Sequence, residues 1–306
     1  MRTHQRVLAS VIALSCCATV ATAGEVVHVI VMAGQSNMVG GASLETLSEP
    51  LQPWTEAMPD IAFRQWLNGS EYGSPGWGGI LEPRGELIGP EMSFAHRLAQ
   101  ARPNESIAIL KVGYNGTNLG CSWNPNGCGH YLYHKLKLLT QYWIEDLEKT
   151  GVTCRLAGLV WVQGESDSKT SWAAYSYFDN LSSLVESLRI DMHRPFLPVV
   201  AVRVHPRGAG YQYGWWVRAA MRNLATADPW VDSVGISDLE LRSDHVHLTA
   251  DSMVRAGIRA ADSFLALGCL DTIEEAPACW GDFDGDDEIS VTDLLQLLDG
   301  WGPCGP

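Results

Sequence analysis

Val29-Ile30-Val31-Met32-Ala33-Gly34-Gln35-Ser36-Asn37-Met38 is the stretch whose reading decides the fold. An apolar run rich in β-branched residues stops at Gly34-Gln35-Ser36. Near-continuous apolar strands of this kind belong to parallel sheets covered on both faces. A serine delivered by such a strand stands at the edge of an open α/β sheet where ligands bind. A serine after a glycine also serves as a helix cap, so the segment alone leaves both roles open.

Working outward, the same rhythm repeats. Strand-like segments are expected at Val26–Met32, Ser106–Val112, Leu156–Val162, Phe196–Val204 and Val231–Ile236. Helical patterns are expected at Glu91–Ala101, Tyr131–Lys149, Ala173–Asp191, Tyr213–Ala227 and Ala250–Leu267. This alternation predicts an α/β fold with a parallel sheet of about five strands between two helical layers. Residues 43–89, with Pro50, Pro53, Pro59, Pro75 and Pro83, are expected to be irregular and to shape specificity.

With 306 residues, 46% hydrophobic and 18% charged, the chain is long and apolar enough for one large domain and a small appendage. Arg2 and Arg6, an apolar Val7–Val20 segment and Ala21-Thr22-Ala23 form the pattern of a secretory signal over residues 1–23. A secreted, periplasmic or cell-surface location is therefore expected, with no membrane span. Residues 24–269 then form the main domain, 270–280 a linker and 281–306 a tail. Beyond the signal, six cysteines remain, and an even count in an exported chain points to disulfides. Cys121–Cys128, Cys154–Cys269 and Cys279–Cys304 are the pairs the topology favours, out of the 15 that six cysteines allow. The net charge of −14 has no basic stripe to offset it, which argues against a nucleic-acid partner.

Four polar clusters fall at expected strand ends. They are Gly34-Gln35-Ser36, Gly113-Tyr114-Asn115-Gly116-Thr117-Asn118, Gln163-Gly164-Glu165-Ser166-Asp167 and Ser243-Asp244-His245-Val246-His247. A serine nucleophile needs a base, and a histidine oriented by a carboxylate supplies one. Ser36, His247 and Asp244 are the candidates for these three roles. The oxyanion of an acyl-transfer intermediate needs preorganised donors. Backbone N–H groups of Ser36 and Gly116 and the side-chain amide of Gln163 are suitable. Gln35, Asn115 and Trp123, in the same loops, are candidates for touching substrate. Other readings stay open: His245 and His247 as a metal pair with Asp244, Asp244 as a helix cap, Glu165 and Asp167 as caps of the helix after 170. Trp54, Trp66, Trp77 and Trp123 lie in expected loops, where an aromatic face stacks on a sugar or packs the loop. Trp143, Trp161 and Trp172 are expected in the core.

Together, Gly34-Gln35-Ser36-Asn37-Met38, Gly89-Pro90-Glu91-Met92-Ser93-Phe94, Gln163-Gly164-Glu165-Ser166-Asp167 and Asp244…His247-Leu248-Thr249 resemble the SGNH-hydrolase esterases. The closest branch is the sialate O-acetylesterase and acetylxylan esterase group, carbohydrate esterase family six, over roughly residues 26–267. The resemblance implies a flavodoxin-like three-layer α/β/α fold and serine-dependent removal of O-acetyl groups from an acetylated glycan, with no cofactor for catalysis. It also implies that Glu165 supports or competes with Asp244, and it meets Asn115 where the group usually has a second glycine. The alternatives within the same frame are a sialate O-acetylesterase, or an inactive glycan-binding or scaffold-attached protein.

Residues 271–306 hold ten acids and no Lys or Arg. Asp282, Asp284, Asp286, Glu288 (through its carbonyl), Ser290 and Asp293 have the spacing of a Ca²⁺ loop. This segment resembles one dockerin repeat, with Asp287 where the turn glycine is expected. The resemblance implies a cohesin-like or cell-surface partner.

Overall fold

The computed structural model describes residues 25–72, 79–271 and the single residue 291. The signal segment, Trp77, Cys279, Cys304 and the calcium-loop positions Asp282, Asp284, Asp286, Glu288, Ser290 and Asp293 lie outside the described residues.

The strands are β1 (Val26–Gly34), β2 (Ala42–Ser43), β3 (Met58–Leu67), β4 (Ser70–Tyr72), β5 (Ile80–Leu81), β6 (Leu87–Ile88), β7 (Ser106–Gly113), β8 (Thr153–Val162), β9 (Val199–Val202) and β10 (Val231–Val234). The helices are α1 (Ser36–Val39), α2 (Pro90–Ala101), α3 (Tyr131–Glu148), α4 (Ser171–Tyr175), α5 (Tyr177–Asp191), α6 (Gly214–Ala227) and α7 (Ala250–Ala266). The main sheet runs β10-β9-β8-β1-β7-β3-β4, with β5 also paired to β3. The five expected strands are all present and parallel, in the flavodoxin-like order β7-β1-β8-β9-β10. Successive connections leave β1 towards both sides, so its C-terminal end lies at the switch point where a crevice opens.

Side-chain alternation along β1 explains the three layers. Val27, Val29, Val31 and Ala33 face a core built with α3, α5 and α6, while Ile30 and Met32 face one built with α2 and α7. On the second face α2 and α7 pack closely. A Cβ at Gly257 would meet Ser93 Oγ at 2.2 Å and the Pro90 carbonyl at 2.3 Å. The Gly89-Pro90-Glu91 motif has a structural role here. Glu91 Oε2 lies 2.7 Å from Lys111 Nζ in a buried ion pair between α2 and β7. A Cβ at Gly89 would strike both groups.

Three expectations need correction. Residues 43–89 are not wholly irregular, because Met58–Leu67 forms β3, parallel to β7. Its apolar run is interrupted by buried Arg64 and Gln65, and the Arg64 charge is met by Asp146 of α3 at 2.6 Å. The single helix expected at Ala173–Asp191 is two, broken at Ser176. Trp172, on the first of the two, is on the surface rather than in the core. Cys121–Cys128 is a disulfide, but Cys154 and Cys269 are free thiols. Cys154 packs on the α3/α5 side of the sheet and Cys269 on the α2/α7 side, so the sheet separates them. Trp143 and Trp161 are buried as expected.

Candidate active site

β1 delivers Ser36 through a close strand contact. Gly34 has φ 154°, and a Cβ there would meet the Val162 carbonyl oxygen at 2.0 Å. The next N–H, of Gln35, donates to that same oxygen at 3.0 Å. Ser36 then opens the one-turn helix α1.

His247 arrives from the segment between β10 and α7. Arg242 N–H donates to the His247 carbonyl at 2.7 Å, and Leu241 bridges Leu248, so the loop is a small hairpin. Asp244 Oδ1 accepts from the N–H groups of Val246 and His247, both at 2.9 Å. Its Oδ2 accepts from His247 Nδ1 at 2.8 Å. Desolvation works against the Asp244 carboxylate, but the His247 and Val246 donors outweigh it and hold the group well below the usual range. An ionised Asp244 on Nδ1 places the ring proton there and leaves Nε2 to accept. Asp244 is not a helix cap, since Thr249 caps α7 by accepting from Ser252 N–H at 3.3 Å.

Ser36 and His247 line one cavity of about 100 Å³, with Asn115 and Arg242 on its wall. That is room for an acyl group of a few non-hydrogen atoms. A second cavity of about 470 Å³ shares Gly41, Ala42 and Arg242 with it. The volume is in the range of small-ligand sites. Gly116 has φ 69° in the loop after β7, and no atom lies within 4 Å of where its Cβ would be.

Beneath the cavity lies a buried polar layer that changes several expected roles. Gln163 is not a free oxyanion donor. Its Nε2 faces Asp167 Oδ2 at 2.6 Å, the Thr117 carbonyl at 2.9 Å and Gln35 Oε1 at 3.1 Å. Two N–H bonds cannot serve more acceptors than these. Gln35 is buried too, and its Oε1 also accepts from Ser166 N–H at 3.3 Å, so it braces the loops instead of touching substrate. Trp123 is fully buried; its Nε1 donates to Thr117 Oγ1 at 2.8 Å and its ring packs edge-on against Trp161. Trp66 is likewise buried, within β3.

Glu165 is buried, and its Oε1 accepts from Asn37 Nδ2 at 2.6 Å. Burial pushes its carboxyl up, opposed mainly by the Asn37 bond. Among the described residues its Oε2 has no hydrogen-bond partner. Asn37 is the residue that sequence reasoning passed over. Its Nδ2 also reaches the Val246 carbonyl at 3.2 Å, and its Oδ1 accepts from Leu248 N–H at 3.1 Å. One side chain thus ties the Ser36 helix to both flanks of His247. An amide placed directly after the serine, in an otherwise apolar stretch, was the available signal. Asn37→Ala is expected to lower kcat/KM on a small acetyl ester about 10²-fold and stability by about 1–3 kcal/mol. A variant that loses stability but keeps full kcat would remove the positioning role.

Asp167 supplies a pH prediction. Burial pushes its carboxyl up to about 6, against bonds from Gln163 and from the backbone N–H of Leu119. Between the ordinary value of 3.8 and about 6, the folded chain holds a proton that the unfolded chain has lost. Stability from this group is therefore present below about pH 4 and lost as pH rises through 6, by roughly 3 kcal/mol. Glu165 acts in the same direction. Asp244, shifted down, acts in the opposite one, but its contribution is complete above about pH 4. Denaturant unfolding at pH 4.5 and pH 7 is expected to show a pH-linked loss in the wild type that is smaller in Asp167→Asn. Identical slopes for the two proteins would refute the assignment.

A probable carbohydrate esterase of Arabidopsis thaliana is 30% identical over 184 residues, covering 60% of this chain. The chain spans 65% of that relative's length. An Arabidopsis thaliana crystal structure superposes with a TM-score of 0.60 at 25% identity, over 78% of this chain and 98% of the other. A structure described as a novel carbohydrate acetylesterase from Xanthomonas citri shares the fold, with a TM-score of 0.56 at 19% identity over 76% of this chain and 55% of the other. The family model for carbohydrate esterase, sialic acid-specific acetylesterase matches residues 26–266, the whole sheet with every residue of the cavity, and the chain belongs to that family.

Proposed function

We propose that the protein is a serine esterase that removes O-acetyl groups from a carbohydrate through an acyl-enzyme. The observation that carries this reading is a single small cavity lined by Ser36 and His247, with His247 Nδ1 held on Asp244 at 2.8 Å. Ser36 Oγ attacks the acetyl carbonyl while His247 Nε2 takes its proton. The oxyanion is stabilised by the backbone N–H groups of Ser36 and Gly116. With Gln163 committed to its neighbours, Asn115 on the cavity wall is the side-chain amide that completes the set. His247 then returns the proton to the departing sugar oxygen, and a water activated by the same imidazole releases acetate. None of these steps calls on a cofactor.

A second reading, a sialate substrate, has one observation behind it. Arg242 borders both cavities, donates to the Gly41 carbonyl at 3.1 Å and, among the described residues, has no acid paired with it. A sugar carboxylate in the larger cavity would meet that guanidinium. Acetate release from acetylated xylan, acetylated pectin and O-acetyl sialic acid, with Ser36→Ala as control, separates these substrates. Equal release by wild type and Ser36→Ala on every substrate would end the esterase reading.

The proposal extends to the ends of the chain. The leader directs export, and the acidic tail binds Ca²⁺ through Asp282, Asp284, Asp286, Glu288, Ser290 and Asp293, offering a surface to a cohesin-like or cell-surface partner. Calorimetric titration of the full chain with Ca²⁺ is the check, and no heat above that of an Asp282→Asn, Asp284→Asn variant would exclude the site.

A further inference from the structure

The surface beside the cavity carries an aromatic cluster that the catalytic scheme does not use. Trp172 is 59% exposed, Tyr175 57%, Trp215 59% and Trp216 39%. Such exposure is unusual for large rings unless they serve an interaction. Trp215 and Trp216 stack with centroids 4.0 Å apart, and Tyr175 packs edge-on against Trp216 at 5.0 Å and against Tyr213 at 6.1 Å. Helix α4 carries Trp172 and Tyr175 three residues apart, which sets them on one face.

The position of the cluster is dictated by topology. Helix α4 follows the C-terminal end of β8 and α6 follows that of β9, so both begin on the sheet edge that carries Ser36 and His247. Two contacts link the segments that bear the cluster to the loops that bear the cavity residues. Ala209 N–H donates to the His245 carbonyl at 2.7 Å, within the His247 loop, and Trp216 follows seven residues later. On the other side, a Cβ at Gly120 would meet the Trp172 ring at 3.9 Å. Gly120 belongs to the loop that carries Asn115 and Gly116. From Ala209 to Trp216 the chain reaches at most about 25 Å, the length of a short glycan.

Chemistry selects the occupant. Residues 170–178 and 208–217 contain no Asp, Glu, Lys or Arg. A nucleic acid would need cations there, and an anionic membrane would need basic and aliphatic side chains. An uncharged row of Trp and Tyr with Ser, Thr and Gln between them suits the C–H faces and hydroxyls of sugars. The tail is a poorer occupant, because α7 starts at the catalytic edge and runs about 25 Å to the opposite edge before the tail begins.

We propose that Trp172, Tyr175, Trp215 and Trp216 form a secondary glycan-binding platform that holds the polysaccharide backbone several sugars away from the ester being cleaved. It rests on the carbohydrate-esterase reading above, and it makes the protein selective for polymers over short acetylated sugars.

The test compares kcat/KM on acetylated xylan or pectin with kcat/KM on an acetylated disaccharide. In Trp172→Ala, and in the double variant Trp215→Ala, Trp216→Ala, the polymer-to-disaccharide ratio is expected to fall at least about tenfold. The double variant Trp215→Phe, Trp216→Phe is expected to keep most of it. Tyr142→Ala, an exposed aromatic on α3, controls for loss of any surface ring. An unchanged ratio in the Trp variants overturns the proposal, as does a loss equal to that of Tyr142→Ala. So does a change confined to self-association in sedimentation or to sedimentation with phosphatidylglycerol vesicles. Retardation of full-length Ser36→Ala in gels cast with each polysaccharide reads the platform without turnover. Retardation that disappears in the Trp variants supports the platform even if no acetate is released from any sugar, and no retardation in any gel overturns it.

Discussion

Ser36→Ala is expected to lower kcat on any acetyl ester by at least about 10⁴-fold, which corresponds to more than 5 kcal/mol of barrier. The hydroxyl has no substitute in the cavity, since the other lining groups are amide, guanidinium and imidazole side chains and aliphatic walls. His247→Ala is expected to cost a similar amount, because without a base the hydroxyl keeps its proton. The double variant should be little worse than either single one, as the pair acts as a unit. Ser36 is only partly buried, so unfolding should be nearly unchanged. A loss below tenfold in Ser36→Ala, or full additivity with His247→Ala, would mean that another group carries the attack.

Gly34→Ala is expected to be strongly destabilising, at about 4 kcal/mol or more, or to abolish soluble expression. The added Cβ would lie 2.0 Å from the Val162 carbonyl oxygen, and backbone on both sides blocks relief. Gly34 pairs with Gly113 on one side and Val162 on the other, so any shift moves the centre of the sheet. Overpacking of a rigid contact sits at the costly end of single substitutions. Gly116→Ala is the comparison. It has a left-handed φ but open space, so its stability cost should be only about 1 kcal/mol. Denaturant unfolding of the two variants measures the difference. If Gly34→Ala cost no more than Gly116→Ala, the close strand contact would not be what fixes Ser36.

Part of the site was legible because its information is local. The Val29–Ala33 run, the Gly34 stop and the three-residue spacing of Asp244 and His247 each lie within a few residues, and all appear as read. The parallel sheet followed from the alternation of apolar strands and amphipathic helices. Strand β3 was hidden because its buried Arg64 and Gln65 look like loop chemistry until Asp146 is brought beside the guanidinium. Gln163 carries the right group for an oxyanion donor, yet the same amide suits Gln35, Thr117 and Asp167. Which acceptors win depends on three loops meeting.

The tryptophans divide the two kinds of knowledge most clearly. By composition Trp123 and Trp172 are alike, one expected in a loop and one in the core, and the structure buries the first and exposes the second. A ring's burial is decided by what lies across from it. Trp123 meets Trp161 from β8, while Trp172 lies exposed on the short helix α4. The sequence by itself determined the layer order, the strand that presents Ser36 and the Asp244–His247 pair, since periodicity and short spacing carry them. Only the tertiary structure decided which polar groups face the cavity and which are used up beneath it, and which aromatic rings stay exposed on the same edge of the sheet. Hydrogen bonding and burial at these positions are set by partners up to 211 residues apart, and no local pattern records them.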